Sequence, residues 1–574
     1  MASTTLRTTP PHIATHPPAA SSNTARVTTS EWRFVLGVIT AVLVFTSLPF
    51  AYAYLSAPPD KQFMGIMLDV PDHGQYFSWM RELTTAPLSS NKLTPEPNQP
   101  IFFNLLWFGL GRIGGLLGLN YDVMYQAMRV VGVVAFLLLA YRICAWFFDE
   151  VTQRSAAFLI ITFTAGFGWV LVILKYVLGL DEPPLPLNLY VAESNTFHGI
   201  LGYPHFIAAL LYVFVFDLVL RGQAKSQLRY AIYAGLWALF LGWQHAYDLV
   251  LVYAILGAYI ALTFLRDRAL PGYLIKSFII IGFISWWPAL YSAVLTKLDP
   301  VWKEVLAQFG NAGVYTPNLF QLPILLGPAF LVALFAAVSM LIKQKLNWEN
   351  KWLFALGWFF VQFPLVYLPV DFQIHMLNGW QIPIALLAVY GIYQKTTRLG
   401  SRDGGRQTAM SRLSSAVRRL SPRTLCIVLL ITLLPTNLYL WAWRFIDLRR
   451  HEYPFYLHKT ELAAMHWIEQ QPDPDAVILS SLTTGQYLPM FTGKPAYLAH
   501  WAQTLRFFEK RKNVQAFFAT EITDPQRQRL LQQHNVRYVF FGPAERELGG
   551  YNPATSSFLK LVFETPDVKV FEVR

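Results

Sequence analysis

Apolar runs long enough to cross a bilayer recur about eleven times along this 574-residue chain, and nothing else in it restricts the fold as strongly. A helix needs about 20 predominantly apolar residues to span the hydrocarbon core. Approximate cores lie at residues 33–54, 123–147, 155–178, 203–220, 229–246, 248–265, 273–294, 319–342, 352–369, 380–394 and 424–445. Several contain Gly or Pro, which membrane helices tolerate because neighbouring helices re-satisfy the freed backbone groups. Only 14% of the residues are charged and 54% are hydrophobic, too charge-poor for an ordinary soluble domain. The chain reads as a polytopic α-helical membrane protein.

The basic residues fix an orientation. With the N-terminus cytoplasmic, the inner side through Arg423 carries 22 Lys/Arg against 7 Asp/Glu, and the outer side carries 8 against 13. Positive charge kept inside is the expected bias for a multi-pass protein of a plasma or inner cell membrane. The net charge of +12 does not indicate a nucleic-acid partner, because the positives are dispersed among apolar runs instead of gathered on one face. Eight of them lie in 395–423, a basic cytoplasmic loop suited to anionic membrane lipids. Cys144 and Cys426, the two cysteines, both fall inside apolar runs, so no disulfide framework or cysteine metal site is expected.

Residues 1–30 are rich in Thr, Pro, Ser and Ala and read as a disordered cytoplasmic tail. The first apolar run is long for a signal peptide and lacks a small-residue cleavage site, so a retained anchor is expected. The transmembrane domain then covers 31–447, with a long outer loop at 55–122. Within that loop, NQPIFFNLLWFGLGRIGGLLGLN (98–120) is broken by Gly and carries Arg112, predicting an interfacial helix. From about Leu448 the charges return, and residues 448–574 read as a small α/β domain. HKTELAAMHWIEQ and DPQRQRLLQQHN predict helices, and AVILSS, VRYVFF, LKLVFET and VKVFEV predict strands. An odd number of spans puts this domain outside.

Ionisable residues gather on the outer side. GIMLDVPDHGQYFSWMRE (65–82) sets Asp69, Asp72 and His73 just beyond the first run, and helical spacing puts Asp72 and Tyr76 on one face. Glu193 and His198 follow the third run, His205 opens the fourth, and His245 with Asp248 make the turn between the fifth and sixth. Asp371 and His375 precede the tenth. Such convergence suits sugar hydroxyls or a divalent metal, with Asp72, His205, His245 and Asp248 as the metal candidates, although the spacing matches no compact ligand motif. Solvated loop carboxylates and hydrogen-bonded helix ends are the bland alternative. Arg129, one to two turns into the second run, needs a partner: Asp122, another outward carboxylate, the interface, or a bound anion. Lys175 sits near the outer end of its run. Trp169, Trp243 and Trp380 suit core packing or stacking on a sugar ring.

An early outer-loop aspartate, the juxtamembrane helix QPIFFNLLWFGLGRIGGLLGLN, Arg129 at the mouth of the next span, and a terminal α/β domain together resemble the GT-C membrane glycosyltransferases. That group includes the protein O-mannosyltransferases and the aminoarabinose transferase of lipid A. TAGFGW (164–169), ESNTF (193–197), YPHF (203–206), QHAYD (244–248) and TGQYLPMFTGKPAYLAHW (484–501) resemble segments of uncharacterised bacterial members. The resemblance implies a sugar donor on a polyprenyl phosphate and an envelope, lipid or protein acceptor at the outer face. It implies Asp72, in its D-x-x-x-Y context, as general base, with Asp69 as the alternative, because an acceptor hydroxyl attacks well only while losing its proton. It implies Arg129, and less directly Lys175, on the phosphate. Two competing readings are a transporter or flippase of a lipid-linked envelope component and a noncatalytic envelope-assembly protein. Intramembrane repeats and midplane binding residues, the marks of transporters, are not evident.

Overall fold

The structure is a computed structural model describing residues 27–180, 191–312, 315–344, 348–399 and 420–574. Most of the predicted tail and most of the basic stretch 395–423 lie outside the described residues. Four helices open the chain: α1 (Thr29–Ser56), α2 (Val70–Thr85), α3 (Leu105–Leu117) and α4 (Tyr121–Phe147). The side-chain oxygen of Thr28 caps α1 and Glu31 reaches back to the Thr28 amide, satisfying two backbone donors that would otherwise be orphaned.

Among the described residues, seven helices are long and apolar enough to cross a membrane: α1, α4, Pro204–Lys225, Asp248–Asp267, Leu322–Lys343, Gln373–Gln394 and Pro422–Leu448. Two bent pairs raise the count to nine: Val151–Phe163 with Gly168–Tyr176, bent by 45°, and Gly272–Ser285 with Trp287–Leu295, bent by 41°. The expected eleven therefore includes two runs that fold short. Arg229–Gln244 and Asn350–Leu365 are 16-residue helices, about 24 Å long against a hydrocarbon core of about 30 Å. The interfacial candidate is α3, 13 residues and too short to span.

Buried ion pairs tie the spans together at the end away from α2. Glu31 of α1 accepts from Arg154 (2.8 Å) and from the Tyr141 hydroxyl (2.7 Å), and both charged side chains are only 2% exposed. Asp217 takes Arg142 (3.1 Å), Arg221 (3.0 Å) and the Trp146 indole (3.0 Å), joining α4 to Pro204–Lys225. A buried carboxylate needs this many donors because desolvation penalises its charge heavily.

At the other end the outer loop and the C-terminal segment fold as one body. Strand β1 (Lys61–Phe63) pairs antiparallel with β2 (Tyr456–His458). Strands β3 (Val477–Leu479), β4 (Val536–Phe541), β5 (Leu559–Glu564) and β6 (Lys569–Val573) form a sheet in the order β3-β4-β6-β5, parallel between β3 and β4 and antiparallel elsewhere. Alternation along the strands gives it two dry faces. Phe540 and Val570 pack with Met465 and Ile468 of the helix Lys459–Glu469, in the same core as Phe77, Met80 and Trp107 of the outer loop. Val539 and Phe571 face Phe517, Phe518 and Leu531. Gly74 on α2 lets this body close: a Cβ there would sit 2.5 Å from the Gln486 carbonyl oxygen. Gly111 does the same for α3, with the Met80 carbonyl 2.5 Å from a hypothetical Cβ.

Replacing one partner of the Glu31–Arg154 pair strands the other in the dry interior. Arg154→Ala is expected to cost about 3–5 kcal/mol, read as a lowered melting temperature in detergent, and an unchanged melting temperature refutes the clamp.

Candidate functional site

The site is built on the first turn of α2. Asp69 is its N-cap residue, in the left-handed region at φ 45°, a conformation Asp tolerates better than most non-glycine residues. The Asp69 carbonyl accepts from the His73 amide (3.2 Å) and pairs with His73 Nδ1 (2.8 Å), which fixes that ring. Burial holds the His73 imidazole neutral, lowering it to about 4. Pro71 is preset for a first helical turn, so VPDHG starts a helix where it does for local reasons.

Asp72 lies one turn in, at the positive end of the helix dipole. Its Oδ1 accepts from His500 Nε2 at 2.9 Å and its Oδ2 from the Tyr76 hydroxyl at 3.3 Å. The His500 tautomer follows from its other nitrogen. Nδ1 faces the backbone N–H groups of Ala502 (2.9 Å) and Gln503 (3.2 Å), so it is an acceptor and the proton sits on Nε2, towards Asp72. The Tyr76 hydroxyl also meets His205 Nε2 (3.1 Å), and the Tyr76 ring stacks on Trp107 at 4.7 Å. Asp72 keeps 21% of its side-chain surface exposed, while His500 keeps 1%.

The two carboxyls are pushed apart. Burial, then the charge of Asp72 beside it, raises the Asp69 carboxyl well above the usual carboxylate range. Burial pushes Asp72 up most strongly, but the hydrogen bond and charge of His500, with His205 and the Asp69 carboxyl, together outweigh it and hold Asp72 below that range. The pair thus favours the ionised form on Asp72 and the protonated form on Asp69. Asp69 lines a cavity of about 500 Å³ whose other walls include Tyr453, Phe455, Thr483 and Gln486 from the C-terminal segment.

A second polar group adjoins the first. Glu193 accepts from His375 Nδ1 at 2.8 Å, and Asp248 from His245 Nδ1 at 3.1 Å. The His245 and His375 rings are 5.5 Å apart, Tyr247 stacks on His375, and Phe206 touches both imidazoles. His205, next to Phe206, interacts electrostatically with Asp72, His73, His245 and His375, which links the two groups. Local signals set these positions: Asp248 is the first residue of its helix, His245 the C-cap of the preceding one, and Asn195 caps the short helix Thr196–Gly202 through the His198 amide. Buried Asp248 Oδ1 and His205 Nδ1 have no hydrogen-bond partner among the described residues.

Asp69, Asp72, Glu193, His205, His245, Asp248 and His375 thus come together. His198 is buried nearby against Tyr203, its Nδ1 without a hydrogen-bond partner. Arg129 is 2% exposed and bonded to Gln126 (2.8 Å), Thr46 (2.9 Å) and Ser47 (2.6 Å), with Phe50 at 5.1 Å. The Asp122 partnership and the snorkelling alternative are both wrong: Asp122 takes the Tyr54 hydroxyl, and among the described residues no carboxylate pairs with Arg129. Tyr125, one turn before Arg129, contacts His73 and lies between that guanidinium and the carboxylates. Lys175 stands apart, exposed at its helix end over the Tyr176 ring, and Asp371 is exposed. Trp380 is fully buried among Phe330, Phe359 and Phe363, which leaves it no room for a sugar.

The metal candidates do not assemble. Among the described residues no three His, Cys, Asp or Glu side chains are placed to hold a metal ion. Asp72, His205 and the His245–Asp248 couple are each engaged in hydrogen bonds instead. Sequence reasoning missed His500, 428 residues from Asp72 and betrayed only by its YLAHW context. It also missed Arg444, which bonds the Met67 carbonyl (3.1 Å) beside the site. A cation inside the last apolar run was the available signal there.

No protein-family model and no curated protein sequence matches the chain. Among solved structures, the arabinofuranosyltransferase AftD from Mycobacteria is similar at a TM-score of 0.56 and 12% identity, over 96% of this chain and 40% of AftD. The chain therefore spans well under half the length of that neighbour. The oligosaccharyltransferase AglB from Archaeoglobus fulgidus, in complex with an inhibitory peptide and a dolichol-phosphate, gives 0.50 and 12%, over 90% and 70%. ArnT from Cupriavidus metallidurans bound to undecaprenyl phosphate gives 0.46 and 11%, over 93% and 98%. These neighbours are GT-C glycosyltransferases, and the chain shares their fold.

His500→Ala removes the donor from Asp72 and the acceptor from two backbone amides at once. It is expected to cost about 1–3 kcal/mol and to speed hydrogen exchange at Ala502 and Gln503; unchanged exchange at both amides contradicts the assigned bonding.

Proposed function

We propose that this chain is an integral-membrane glycosyltransferase that moves a sugar from a polyprenyl-phosphate donor to a hydroxyl or amine acceptor at the outer face of the cell membrane. One observation carries the reading: an asymmetrically charged, half-buried Asp69–Asp72 pair, with His500 bonded to Asp72 and Asp69 in the wall of a cavity, sits on the fold of GT-C transferases. The dolichol-phosphate in the AglB complex supports the lipid-phosphate donor.

In this reading the acceptor approaches through the cavity walled by Tyr453, Phe455, Thr483 and Gln486. Asp72, ionised and fixed, takes the acceptor proton as the acceptor oxygen or nitrogen bonds to the anomeric carbon. The bond from that carbon to the phosphate oxygen breaks, and the electron pair leaves with the polyprenyl phosphate. The Asp69 carboxyl, pushed up by burial and by its neighbour, leaves the negative charge on Asp72; Asp69, at the cavity wall, is the alternative base where that charge sits on it instead. The departing charge needs a cation, and Arg129 is suited because its present partners are all neutral oxygens. Glu193, His198, His205, His245, Asp248 and His375 supply donors and acceptors for sugar hydroxyls, and the orphaned Asp248 Oδ1 and His205 Nδ1 give them unspent capacity. Lys175 has no part.

The flippase alternative would put binding groups on broken helices near the membrane centre. The breaks at Thr164–Phe167 and at Trp286 contain none of the clustered residues, and His205 and His375 lie on short pieces, Pro204–Leu210 and Gln373–Leu377, at one end of their interrupted spans.

Two variants test the assignment with undecaprenyl-phosphate-linked monosaccharides in proteoliposomes. Asp72→Asn is expected to lower transfer by about 10²- to 10⁴-fold while undecaprenyl phosphate still binds; transfer at the parental rate eliminates Asp72 as base. Arg129→Gln is expected to weaken undecaprenyl phosphate binding by native mass spectrometry, and unchanged binding eliminates the phosphate role.

A further inference from the structure

The turn that carries His500 is gripped from two directions. On one side the outer loop holds it: Asn91 Nδ2 donates to the Gln503 carbonyl (2.9 Å), the Thr504 hydroxyl donates to the Leu93 carbonyl (2.6 Å), and the Leu505 amide donates to Thr94 (3.1 Å). Thr504 Oγ1 also receives the Ala499 and His500 amides, both at 3.0 Å. On the other side stands a segment from a different part of the chain, the turn after the helix Pro300–Ala307.

Gln308 uses its whole amide on this turn. Its Nε2 donates to the carbonyls of Ala502 (3.1 Å) and Thr504 (3.2 Å), and its Oε1 accepts from the Arg506 amide (2.8 Å). Asn311 Nδ2 donates to the Trp501 carbonyl (2.9 Å). Four backbone groups around His500 are thus met by two side chains. The helix before them is itself anchored. Asp299 caps it through the Val301 amide (2.8 Å) and accepts from the Gln99 amide (3.1 Å), and Trp302 stacks on Phe102, which stacks on Trp79 of α2.

We propose that Gln308 and Asn311 are positioning residues for Asp72: by holding the 501–506 turn they keep the Ala502 and Gln503 amides on His500 Nδ1, and so keep the His500 proton on Nε2 and aimed at Asp72. If Asp72 is the base, as proposed above, this segment governs the reaction without touching substrate. The titratable groups facing Asp72 are Asp69, His73, Tyr76, Tyr125, Tyr203, His205, Tyr247, His375 and His500, and Gln308 and Asn311 bond the turn of the last alone. A carboxylate that loses its donor becomes easier to protonate, so loosening the turn lowers the ionised fraction of Asp72 at a given pH.

The direct test is the nitrogen spectrum of full-length, ¹⁵N-histidine-labelled protein in detergent, with His500 assigned by its loss in His500→Asn. The parent is expected to show the Nε2–H tautomer. Gln308→Leu combined with Asn311→Leu is expected to give mixed tautomers, to shift the acid limb of transfer to higher pH, and to lower kcat by about 10- to 100-fold with KM unchanged. An Nε2–H tautomer that persists in the folded double variant overturns the proposal. If that variant does not fold, Gln308→Met and Asn311→Ser decide: mixed tautomers in either uphold it, and the parental tautomer in both overturns it. A tautomer change in a protein that transfers no sugar defeats the glycosyltransferase reading but not this one. An unmoved tautomer beside an inactive Asp72→Asn does the reverse.

Discussion

A carboxylate withdrawn from water must be given donors, and the bond between Asp72 and His500 meets that demand by joining the two ends of the chain. The surrounding architecture is arranged to make it. Gly74 clears the contact between α2 and the Gln486 backbone, β1 pairs with β2 to bring the C-terminal segment to the outer loop, and one apolar core runs from α2 into the sheet. The cavity beside Asp69 exists because two stretches far apart in sequence meet there and one acidic turn forms a wall.

The molecule treats buried charge in two ways. At one end Glu31 and Asp217 are surrounded by arginines and aromatic donors, and such sites hold helices together. At the other end Arg129 has neutral partners, Asp69 is pressed against a second carboxyl, and Asp248 leaves one oxygen without a donor. Incomplete compensation is costly in a packed interior, and the orphaned Asp248 and His205 atoms lie among ionisable groups that interact with Asp72.

Much of this was legible in the sequence wherever a signal repeats locally. Apolar runs announced the long helices, and short apolar, β-branched and aromatic runs announced the strands at 477–479, 536–541, 559–564 and 569–573. Fewer helices are long and apolar than there are apolar runs because hydropathy registers apolarity and not helix length: Arg229–Gln244 and Asn350–Leu365 are apolar but stop after 16 residues. For the site, the acidic turn and the histidines beside outer loops were visible because ionisable residues bordering apolar runs are rare. His500 was not, since it lies in a mixed soluble segment where a histidine is unremarkable and only tertiary pairing marks it out. Trp380 and Lys175 drew notice by residue type, which says nothing of direction: one ring faces the core and one ammonium faces away.

The 428-residue separation of Asp72 and His500 also has a meaning in time. At ordinary rates of synthesis, Asp72 leaves the ribosome on the order of 20–90 s before His500 exists. Through that interval every spanning helix after α1 is made, while the carboxylate that needs shielding has no imidazole to meet. A chain released early would hold an unfinished acidic turn open to water. The last fifth of translation therefore acts as a checkpoint, with the acidic turn braced only once nearly all of the polypeptide has been delivered.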